Sequence, residues 1–122
     1  MLGQARALGI YDELHLGEMH DWLRSSAAAR FDLVIAADVL IYIGALEDLF
    51  SETARNLRPG GWFAFSTEEC ESADYMLLPT GRYAQSEAYI RRLAMPAFTV
   101  AVANPAVIRI ESGDPLMGRL YL

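Results

Sequence analysis

The sequence predicts a single α/β domain built on an open, mostly parallel sheet that ends in an antiparallel carboxyl-terminal hairpin. Three observations carry that expectation. Residues 31–37 form a nearly continuous apolar run rich in branched side chains, as expected of a strand covered on both faces in a parallel sheet. Leu46, Leu49, Phe50, Thr53, Ala54 and Leu57 then recur at spacings of three and four, the stripe of an amphipathic helix packed on that sheet. The last residues read as two short strands joined by a turn at Gly113, Asp114 and Pro115. A chain of 122 residues, 53% hydrophobic and 21% charged, is sized for one packed core.

The elements follow in order. Met1, Leu2, Ala5 and Leu8 share one helical face, and Gly9 supplies the left-handed residue that ends a helix. That helix starts at the first residue without a capping Ser, Thr or Asp, so a preceding segment is expected. The ELHLG segment, with Leu14 and Leu16 alternating, reads as a strand, and DWLRSSAAAR, anchored by Trp22 and Leu23, as a helical turn. The helix of residues 46–57 closes with Arg55 and Arg58 near its negative end, followed by Pro59, Gly60 and Gly61, which cannot continue it. WFAFS is a second buried strand. Residues 67–80, rich in Glu and Asp, read as a solvated connection. Ser86 caps a further helix whose stripe is Tyr89, Ile90, Leu93 and Ala94, closed by Pro96. Open α/β sheets bind ligands beyond the carboxyl ends of their strands, which places the site near Glu18, Asp38 and Ser66.

Composition narrows the function. The net charge of -6 repels a phosphate backbone, which argues against nucleic acid as a partner. No uninterrupted apolar stretch has the length of a membrane span. Cys70 is the only cysteine, so neither an intrachain disulfide nor a thiolate metal cluster can form, and a cytoplasmic setting is expected. His15 and His20 do not share a helical face, so no metal site is read from them.

The string FDLVIAADVLIYIGALEDLFSETARNLRPGGWFAFSTEE resembles the fourth strand, following helix and fifth strand of class I S-adenosylmethionine-dependent methyltransferases, including the PGG turn before the fifth strand. The DVLIYIG stretch and the later GRYAQSEAYI are similar to segments of the bacterial methyltransferases associated with tetratricopeptide repeats. The resemblance implies a Rossmann-like sheet and S-adenosylmethionine as cofactor. It also implies that Glu18, at the end of the third strand, accepts a hydrogen bond from the adenine amino group, with Met19 against the ring. Ala37 and Asp38 would lie beneath the methionine portion, although Asp38 is equally readable as a helix cap. Tyr42 and Tyr83 are weaker candidates for the acceptor pocket, since aromatic residues are more often core. The base-methylating motif of Asn or Asp, two prolines and an aromatic residue does not occur, so the expected acceptor is a small molecule.

The family's first two strands and glycine-rich loop have no counterpart in the sequence. Residues 1–122 are therefore expected to be a single, truncated methyltransferase domain. The isolated chain is expected to be inactive, to bind the cofactor weakly or not at all, and to form a homo-oligomer through an exposed sheet edge. The alternative is a non-catalytic relative serving as a binding or assembly module.

Overall fold

The computed structural model describes residues 1–122. Helix α1 (Leu2–Leu8) ends at Gly9, whose φ of 63° is left-handed, and α2 (Met19–Ser25) follows a loop. Strand β1 (Phe31–Ala36) leads through a single 3₁₀ turn (Leu40–Tyr42) to α3 (Glu47–Asn56) and the long β2 (Leu57–Glu69). Two short strands, β3 (Tyr75–Leu77) and β4 (Tyr83–Gln85), precede α4 (Glu87–Ala94). The chain closes with the β5 (Ala103–Glu111) and β6 (Asp114–Tyr121) hairpin.

All six strands join one mixed sheet centred on β2. β1 pairs with β2 in parallel, from Leu33 opposite Trp62 to Ala36 opposite Phe65. β4 continues on the same side of β2, also parallel, at Glu68 and Glu69. β6 flanks the other side antiparallel, Phe65 facing Tyr121, and β5 pairs antiparallel with β6 outside it. The α/β Rossmann-like class thus holds with two parallel and three antiparallel pairings. The PGG segment is a wide bulge: β1 advances from Phe31 to Leu33 while β2 advances from Leu57 to Trp62, and Gly60 takes φ 79° to make the excursion.

One face of the sheet is covered. Val34, Ala36, Phe63, Phe65 and Tyr121 point to it, and α3 and α4 bury Leu49, Phe50, Tyr89 and Ile90 against them. Phe50 stands edge-on to both Phe63 and Phe65 at 5.5 Å, a favoured aromatic arrangement. Tyr89 ties the helices together by accepting the Leu46 amide at 2.8 Å. Ser86 caps α4 as expected, its hydroxyl accepting from the Tyr89 amide. Asn56 donates to the Leu23 carbonyl at 2.9 Å and fixes α2 beside α3.

Five expectations are corrected. The sheet is not mostly parallel, because β3 and the β5–β6 hairpin join it antiparallel and leave only the β1–β2 and β2–β4 pairings parallel. ELHLG is not a strand, because no neighbouring strand offers its backbone a ladder, and Leu16 stays exposed. The run in β1 is covered on one face only: Leu33 and Ile35 are 48% and 66% exposed, with Trp62 and Leu120 also open on that face. The apolar face of α1 buries no residue. The segment of residues 67–80 is partly sheet, since β2 runs on to Glu69 and β3 starts at Tyr75. No helix is long and apolar enough to cross a membrane.

Candidate functional site

The carboxyl ends of β1 and β2 gather the site. The chain leaves β1 through Ala37 and Asp38, and Asp38 adopts φ 55°, a conformation that costs a residue other than glycine about 1 kcal/mol or more and must be held by its surroundings. Two contacts hold it. The Asp38 amide donates to the Ser66 hydroxyl of β2 at 2.9 Å, and its carboxylate accepts from Arg109 of β5 at 2.7 Å. Ile35, Ala37, Asp38, Ala64, Ser66 and Leu120 line a cavity of about 410 Å³ at this end of the open face. Ala37 and Ala64 leave room for a ligand's close approach.

Arg109 is the hub. Its second terminal nitrogen donates to Glu68, whose side chain is only 5% exposed, and it lies 3.7 Å from Glu111. Burial opposes the guanidinium's charge, but Glu68 and Asp38 outweigh it and raise its pKa above the ordinary value. Arg82 donates to Glu111 at 2.6 Å and holds that carboxyl below its usual range. The network therefore runs from Asp38 through Arg109 and Glu111 to Arg82.

The residues expected from the sequence fall into separate groups. Ala37 and Asp38 share the cavity above. Asp38 is not a helix cap: Val39 precedes the 3₁₀ turn, Leu46 precedes α3, and neither helix start has a side-chain cap. Glu18 occupies the residue before α2, exposed and without a capping hydrogen bond. Met19 lines a different cavity of about 360 Å³ with His15, Leu16, Gly17 and Trp22. Tyr42 is 67% exposed, whereas Tyr83 is half-buried, stands edge-on to Tyr75 and approaches Gly44. Burial raises the pKa of the Cys70 thiol, so it is a poor nucleophile.

Arg109 and Glu68 were not singled out by sequence reasoning. A signal existed for each. Arg109 is a lone cation between Ile108 and Ile110 in an apolar strand, and the TEE following WFAFS extends that strand's alternation, which sets Glu68 on the same face as Ala64 and Ser66.

A family model described as a methyltransferase domain matches residues 1–65. No curated protein matches the chain. Among solved structures, a SAM-dependent methyltransferase of Methanosarcina mazei superposes with a TM-score of 0.64 at 14% identity, over 80% of this chain and 60% of that one. The 1,6-didemethyltoxoflavin-N1-methyltransferase of Burkholderia thailandensis, solved with 1,6-didemethyltoxoflavin and S-adenosylhomocysteine, gives 0.63 at 19% identity, over 81% of this chain and 45% of that one. A protein of Pyrococcus horikoshii gives 0.63 at 18% identity, over 98% and 63%. At these identities the likeness is one of fold, and the chain spans roughly half to two thirds of each structure's length.

Proposed function

The chain belongs to the methyltransferase domain family, and from that membership we propose that it forms one part of an S-adenosylmethionine site serving methyl transfer to a small-molecule acceptor. The observation that carries the reading is the Ala37–Asp38 turn: a left-handed residue at the carboxyl end of a parallel strand, tied to Ser66 and opening on an apolar cavity. The donor chemistry fits the two ends of the cofactor. Arg109 occupies only one oxygen of the part-exposed Asp38 carboxylate, which leaves the other for a cation such as the ammonium of the methionine portion. The exposed Glu18 carboxylate suits an adenine amino donor, with Met19 beside it for the ring. Tyr42 and Tyr83 are assigned to the acceptor side, and the setting is cytoplasmic.

Bound there, the cofactor supplies an electrophilic sulfonium methyl group. The residues of this chain then have to align the acceptor's lone pair with the carbon–sulfur axis and keep water out. The bound didemethyltoxoflavin of the Burkholderia enzyme supports a small, ring-shaped acceptor. Affinity in the 122-residue chain is weak, because only the adenine and methionine ends find partners. Losing about three hydrogen bonds at about 1 kcal/mol each costs roughly two orders of magnitude. A second reading, a non-catalytic binding module, is favoured by one feature: the Asp38 carboxylate is already engaged by Arg109.

The test is titration of the chain with S-adenosylhomocysteine followed by amide NMR. Resonances of residues 17–19 and 36–38 should move together and saturate only above about 100 μM. Movement of neither group at millimolar ligand overturns the cofactor site, and saturation at low micromolar ligand overturns the claim of weak binding.

A further inference from the structure

We propose that the cavity between the amino end of β2 and the loop after α4 binds a small neutral aromatic compound of about two fused rings. The cavity holds about 360 Å³ on the helix-covered face, between Gly60–Gly61 and the loop that follows α4. The Asp38 turn lies elsewhere, beyond the carboxyl ends of β1 and β2, although Phe65 and Tyr121 border both cavities. Small side chains keep the space open. Ala94 ends α4 and Ala97 stands in the loop that follows, so neither fills the volume that a larger apolar residue would take.

The lining selects the occupant. The rings of Phe50, Phe63, Phe65, Phe98 and Tyr121 all border the space. Phe50 packs tightly, 5.5 Å from both Phe63 and Phe65, whereas Phe98 stands off at 6.2 Å from Phe50 and 6.1 Å from Phe63. A ring entering this group finds edges and faces to pack against, contacts that an aliphatic chain of equal area forgoes. No Asp, Glu, Lys, Arg or His lines the cavity. Burial also keeps the Tyr121 phenol neutral, pushing its pKa up to about 12. A charged guest would lose its hydration there without gaining a counter-charge, which excludes it. Water is a poor guest as well, because a buried water needs about two to four polar partners, and Thr99 supplies the one aliphatic hydroxyl of the lining. Size sets the number of rings: an apolar cavity of about 150 Å³ takes one benzene, so this one takes two fused rings.

Indole is the probe. Titrated into the 122-residue chain and followed by amide NMR, it should shift resonances of residues 60–63 and 97–101 together, with half-saturation at or below about 1 mM. Naphthoate, similar in ring size but charged, should leave them in place at the same concentrations. Two variants then fill the space. Ala97→Trp plugs it from an exposed loop position, and Ala94→Leu fills it from the end of α4. Each variant that keeps the wild-type circular dichroism spectrum should lose at least about tenfold in indole affinity. No shift at millimolar indole, shifts centred on residues 36–38 instead, an equal response to naphthoate, or undiminished binding in a folded variant would each overturn the proposal. Shifts of the same amides on raising protein concentration without indole would assign the cavity to a second copy of the chain, and would overturn it too.

Discussion

Replacing Arg109 by Met removes the guanidinium and leaves a hydrophobic side chain of similar length. Glu68, 5% exposed, then has no cation beside it, and Arg109 itself is only 15% exposed, so the pair is shielded from solvent on both sides. Breaking a buried pair from one end costs about 3–5 kcal/mol, since it strands a desolvated charge. The Asp38 contact adds little, because Asp38 is 46% exposed and exposed pairs are worth about 0–1 kcal/mol. The expected loss is therefore about 3 kcal/mol, a fall of about 2 M in the urea midpoint for a small domain. Adding Glu68→Gln removes the stranded charge, so the double variant should regain at least about 2 kcal/mol. A single-variant loss below about 1 kcal/mol, or a double variant no more stable than the single, would refute the assignment of Arg109 as the counter-charge of Glu68.

Two further outcomes follow from the core. Burial pushes Tyr89 and Tyr121 up to about 12 from an ordinary 10.0. Above pH 10 the unfolded chain ionises these tyrosines while the folded chain keeps them neutral. Their stabilisation is thus complete below about pH 10 and lost as pH rises toward 12, by up to about 2–3 kcal/mol each. Melting curves followed by circular dichroism should fall steeply across that window, and the Tyr89→Phe/Tyr121→Phe pair should flatten the fall; equal slopes would contradict it. Gly118 lies opposite Glu68 in the ladder, where an added Cβ would collide with the Thr67 carbonyl oxygen and come within 2.8 Å of Ile108. Gly118→Ala should therefore cost about 2 kcal/mol or more by prising β6 from β2, and an unchanged denaturation midpoint would show that the ladder relaxes freely.

Elements whose signal is local were legible in the sequence. The stripe Leu46, Leu49, Phe50, Thr53 became α3, Ser86 capped α4, and Gly9 took the left-handed position after α1. Each rests on residues three or four apart, which the backbone itself brings together. The hairpin was legible too, but its tight turn is Ser112–Gly113, both at positive φ, rather than one centred on Asp114. Leu14 and Leu16 alternate as convincingly as any strand here, yet alternation states only which face would be buried if a neighbour existed. The reverse error occurred at β4, where Tyr83–Gln85 is too short for a period but is almost wholly buried between β2 and β3.

The candidate site was half legible for a related reason. Asp38 and Ser66 could be placed because both end or follow strands that the apolar pattern reveals, and the structure joins them by a 2.9 Å hydrogen bond. Arg109 lies 71 residues beyond Asp38, and nothing in the spacing of either announces the other. Only the antiparallel return of β6 along β2, with β5 outside it, carries the guanidinium back across the sheet to Glu68 and Asp38. This has a consequence for binding. Under the proposed cofactor site, a cationic ligand group at Asp38 would share that carboxylate with Arg109, whose other terminal nitrogen stays on Glu68. The charge that such a group would meet at Asp38 therefore depends on the seating of the β5–β6 hairpin, and a substitution that loosens the hairpin changes the electrostatics at Asp38 even though it touches no residue of the β1 strand.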